Sequence, residues 1–121
     1  MYLILLVLHD PGYCDEVMDA WEKAGVRGIT ILPSTGYARM RSKRSLMDDM
    51  PLIPSLEDFI SRDEQTNRTI FTVVEGEAMV QNVVQVSQSI IGDFNEPNTG
   101  ILIVLPVVQA YGLNRKDNHF M

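Results

Sequence analysis

VRGITILPSTGYARMRSKR, residues 26–44, opens on an apolar, β-branched run and then breaks into glycines, hydroxyls and cations. The front of it, from about Val26 to Pro33, has the composition of a strand. A hairpin turn takes only a few residues, yet no strand pattern returns until Thr69. The intervening residues 36–66 form a long connection, within which PSLEDFI (54–60) suits a short helix capped by Ser55. Connections of this length are usually functional or mobile.

Outward from this stretch the periodicities are plain. YLILLVL (Tyr2–Leu8) is unbroken apolar sequence ended by His9-Asp10-Pro11-Gly12, which suits a first strand covered on both faces. Cys14, Val17, Met18 and Trp21 then recur at i, i+3, i+4 and i+7, with acids on the other faces, and the pattern stops near Gly25. That spacing predicts an amphipathic helix. Thr69–Val74 is β-branched and aromatic, a third strand. After Gly76, the residues Met79, Val80, Val83, Val84, Ser87, Ile90 and Ile91 make one stripe at helical spacing, closed by Gly92. GDFNEPNTG (92–100) is a polar loop of turn residues, and a fourth strand starts at Ile101.

The order is βαββαβ, which predicts an α+β, ferredoxin-like domain: an antiparallel sheet with both helices on one face. Residues 1–121 form one such domain, 36–66 being its long loop and 113–121 its tail. Strands one, two and four are apolar at nearly every position instead of alternating. The face opposite the helices therefore needs a cover, and the simplest is a second copy of the same sheet. A homo-oligomer is expected.

Composition excludes several classes. At 121 residues, 45% hydrophobic and 21% charged, the chain is long enough for a single core. A net charge of -6 opposes a nucleic-acid footprint, which needs lysine and arginine against phosphate. The longest apolar runs are far too short to cross a bilayer as helices, so no membrane insertion is expected. With one cysteine, Cys14, and no signal-peptide pattern, the expected setting is cytoplasmic.

From Pro11 to Met40 the chain resembles the PII signal-transduction (nitrogen-regulatory) family without a gap. The resemblance lies in PGYCDEV at 11–17, GVRGIT at 25–30 and GYARM at 36–40, where the family has GFGRQ; it resumes at TGILIVLPV, 99–107. It implies a homotrimer of ferredoxin-like subunits binding an adenine nucleotide (ATP, ADP or AMP) in the clefts between neighbours. It also implies a regulator rather than an enzyme, acting on a target protein such as a transporter or metabolic enzyme through the loop 36–66. The ligand-facing set it implies is Thr30, Gly36, Tyr37, Ala38, Arg39, Asn98, Thr99 and Gly100. In that set Arg39 offers a guanidinium fork to phosphate, and the end of the 92–100 loop offers backbone amides.

The departures narrow the ligand. The family's glutamine used with 2-oxoglutarate and a Mg-nucleotide is Met40 here, and a thioether does not ligate a hard cation, which argues against 2-oxoglutarate. The family's basic residue before strand four falls near Gly100-Ile101, and its two arginines beyond it fall near Gln109 and Gly112. Its strand-three acid falls at Phe71. No tyrosine lies between Met40 and Asn67, so uridylylation of the loop is not expected.

Other groupings are weaker. Arg39, Arg41, Lys43 and Arg44 concentrate basic charge at the loop base, either as a solvated segment or as an anion or docking site joined by Arg115 and Lys116. Asp93, Asn95, Glu96 and Asn98 lack the spacing of a calcium loop and read as turn chemistry. Cys14 beside His9 has no orienting third group and reads as core packing. Two rival readings share the fold: a small ferredoxin-like enzyme, and a trimer of the CutA metal-tolerance kind that binds no nucleotide.

Overall fold

The computed structural model describes residues 1–37 and 67–113. It is an α+β domain whose elements are β1 (Tyr2–Leu8), a 3₁₀ turn (Pro11–Tyr13), α1 (Cys14–Ala24), β2 (Thr30–Ser34), β3 (Asn67–Val74), α2 (Glu77–Ile91) and β4 (Gly100–Pro106). The four strands form one sheet in the order β2-β3-β1-β4, with every pairing antiparallel. This is the ferredoxin-like order expected from the sequence.

The register divides the sheet residues into two faces. Ile4, Leu6 and Leu8 of β1 and Ile70 and Val74 of β3 are buried, and they pack with Val17 and Trp21 of α1 and Val80 and Val83 of α2; Thr72 of β3 is buried on the same face. Strand β1 pairs on both sides, Leu5 opposite both Phe71 and Ile103. It occupies a central position, as its continuous apolar sequence suggests.

Local chemistry sets the element ends. The Asp10 carboxylate accepts from Gly12 N–H at 2.9 Å, and Pro11 opens the turn that leads into α1. Gly25, at φ 110°, ends α1 in the left-handed conformation; its N–H and that of Val26 donate back to the Glu22 and Trp21 carbonyls, each at 3.0 Å. The helices are joined inside the core: the Trp21 indole donates to Ser87 Oγ at 2.9 Å, and Ser87 Oγ donates to the Val83 carbonyl at 2.7 Å.

Two boundaries differ by two residues or more from the sequence expectation. Strand β2 begins at Thr30, not Val26. The Gly28 carbonyl accepts from the Thr72 hydroxyl, so a side chain of β3 satisfies the backbone where a ladder bond was expected. Strand β3 begins at Asn67, ahead of Thr69, because Ser34 pairs with Asn67 and the Ser34 and Thr69 hydroxyls meet at 2.8 Å. The short helix expected over 54–60 lies outside the described residues.

Gly100 shows why β4 can start so tightly against β1. Its φ is 148°, and a Cβ there would stand 2.6 Å from the Val7 carbonyl oxygen, a contact with backbone that cannot rotate away. Gly100→Ala should therefore cost roughly 1–3 kcal/mol of stability. Urea unfolding tests this; an unchanged midpoint would show that the strand entry tolerates a side chain.

Candidate functional site

The ends of β1 and β2 and the starts of β3 and β4 meet at one end of the sheet. Leu8, the last residue of β1, pairs with both Arg68 and Gly100, while Ser34 at the end of β2 pairs with Asn67. Gly36 is half-buried near the Asn67 side-chain amide, and Tyr37 beyond it is 63% exposed. Thr99 and Gly100 arrive from the 92–100 loop. The topology thus brings Gly36, Tyr37, Asn98, Thr99 and Gly100 to the same end of the molecule. Ala38, Arg39 and Met40 lie outside the described residues.

Thr30 is the exception. It opens β2 and pairs with Phe71, and the four steps to Ser34 separate it from the other candidates by about 13 Å along the strand. It lines a broad groove with Arg27, Phe71, Val73 and Tyr111. Within one chain, the set named by the resemblance is divided between two ends of the sheet.

The 92–100 loop is held by its own side chains. Asp93 accepts from Asn95 N–H at 2.9 Å, Glu96 N–H donates to the Asp93 carbonyl at 2.9 Å, and the Thr99 hydroxyl donates to the Glu96 carbonyl at 2.9 Å. Asn98 takes φ 66°, a left-handed position that asparagine adopts readily. These acids and amides act as turn chemistry. Among the described residues no group of three His, Cys, Asp or Glu is placed to hold a metal ion.

Two residues at this end were missed in the sequence. Thr35 Oγ1 is buried and has no hydrogen-bond partner among the described residues. A buried hydroxyl without a partner costs free energy, so such a group is expected to meet a further donor or acceptor. Arg68, the second residue of β3, pairs with Leu8; its guanidinium donates to the Asn67 carbonyl at 3.3 Å and acts electrostatically on Cys14. Neither carried a signal in the sequence, since the first reads as a turn hydroxyl and the second as an isolated cation.

Cys14 is half-buried against the core at the first position of α1. Burial pushes its thiol up from the ordinary value of 9.0 and the Asp15 carboxylate adds to this, while Arg68 works in the opposite direction. A raised thiol carries less thiolate at neutral pH, the reverse of an activated nucleophile. Alkylation by iodoacetamide at pH 8 should be slower in the folded protein than in the urea-unfolded chain. An equal or faster rate would contradict the burial argument.

The sheet face away from the helices carries Leu3, Leu5 and Val7 of β1, Phe71 and Val73 of β3, Leu32 of β2, and Ile101, Ile103 and Leu105 of β4, aligned by register. The outer members stay open: Leu32 is 49% exposed, Ile101 52%, Ile103 43% and Leu105 47%. A continuous apolar surface of this kind marks an interaction site. No helix among the described residues is long and apolar enough to cross a membrane.

No family model matches the sequence, and no curated protein matches it. Solved structures do. An Arabidopsis thaliana PII protein, in a crystal structure bound to citrate, superposes with a TM-score of 0.57 at 20% sequence identity, covering 88% of this chain and 76% of that one. The chain described here has a PII-like, ferredoxin-type fold.

Proposed function

We propose that the protein is a PII-like regulator: a homotrimer that binds a small anionic metabolite, an adenine nucleotide foremost, in the clefts between its subunits. The observation that carries this reading is the division of the candidate residues. Gly36, Tyr37 and Asn98–Gly100 stand at one end of the sheet and Thr30 in a groove beyond the other end of β2, while the sheet face between is apolar and exposed. Such residues form one site only when the loop-bearing end of one subunit meets the groove of its neighbour, and packing through the sheet faces is what brings subunits together.

The local chemistry fits an anionic ligand. Arg68 and the Thr35 hydroxyl, which has no hydrogen-bond partner among the described residues, lie at the loop-bearing end with the backbone of Asn98–Gly100, and Arg39 follows Gly36 by three residues in the sequence. The PII structure with the shared fold holds citrate, itself a small polyanion. The loop 36–66 would then report ligand state to a target protein, a transporter or metabolic enzyme, by ordering differently in the two states. Met40 speaks against 2-oxoglutarate as the effector. The fold relation to a PII protein favours regulation over catalysis, and the setting expected for such a regulator is the cytoplasm.

The test is isothermal titration with ATP, ADP, AMP, cyclic AMP, citrate, 2-oxoglutarate and bicarbonate, each with and without magnesium. One nucleotide should bind in the micromolar range, and Arg39→Ala should weaken it at least tenfold, about 1.4 kcal/mol. Unchanged affinity in Arg39→Ala would remove that residue from the site. Absence of binding by every compound in a confirmed trimer would overturn the nucleotide reading.

A further inference from the structure

We draw no further inference here: the strongest candidate, the broad groove between the end of α1, the 25–29 connection and residues 110–113, shares Thr30 and Phe71 with the cleft already proposed, and nothing in the structure shows what partner covers it.

Discussion

Replacing Ile101 and Ile103 together with lysine should convert the proposed trimer to monomers. Both side chains stand on the open face of β4, 52% and 43% exposed in the single chain, so a charge there remains solvated and leaves the subunit fold intact. In the proposed trimer the same positions are buried against a neighbour. Each isoleucine then gives up roughly 1.5–3 kcal/mol of apolar burial, and each lysine meets an apolar surface in which its charge has no partner. Every interface of a symmetric ring carries the change, so the loss is repeated at each contact. Light scattering should report the mass of one subunit, circular dichroism should report unchanged helix and strand content, and the nucleotide binding proposed for the trimer should disappear with it. Gln81→Lys, on the exposed outer face of α2, should leave the mass unaltered. A double variant that keeps the assembled mass would show that subunits do not meet through this face and would sink the shared-cleft reading.

The difference between these two faces was legible in the sequence, because a strand that is apolar at every position in a domain with helices on one side leaves an uncovered surface. So was the order of elements: the 3.6-residue stripe of Cys14, Val17, Met18 and Trp21 falls on a helix that faces the core, and Gly25 and Gly92 end their helices as expected. The start of β2 was not legible. Val26 and Ile29 look like strand residues, but what decides the boundary is the Thr72 hydroxyl, 44 positions away, taking the Gly28 carbonyl. The site was legible only in part. Asn98, Thr99 and Gly100 were named through the family resemblance, and turn chemistry before a strand accounts only for their local conformation, whereas the convergence of Thr35, Gly36 and Arg68 depends on β2 and β3 pairing across a connection whose length says nothing of register. Thr30 and Gly36, six residues apart, look like one motif, yet an extended strand puts them at separate places.

Trp21→Ala should be among the most destabilising single changes in the chain, because Trp21 is fully buried and is both the largest core side chain and a hydrogen-bond donor between the helices. Truncating a buried tryptophan costs roughly 3–5 kcal/mol, a large share of the stability of a domain this size. The same pair separates volume from hydrogen bonding. Ser87→Ala removes little volume but leaves the indole N–H buried without an acceptor, at a cost of roughly 1–3 kcal/mol. Trp21→Phe removes the donor, while the Ser87 hydroxyl still donates to the Val83 carbonyl at 2.7 Å. The double variant Trp21→Phe/Ser87→Ala should therefore cost less than the sum of the singles, by roughly 0.5–3 kcal/mol. Urea unfolding followed by circular dichroism at one fixed protein concentration gives the four stabilities, the concentration being held because the proposed assembly would raise apparent stability by mass action. Additive costs would mean that the indole–hydroxyl contact contributes nothing beyond packing, and that the two helices are joined by shape alone.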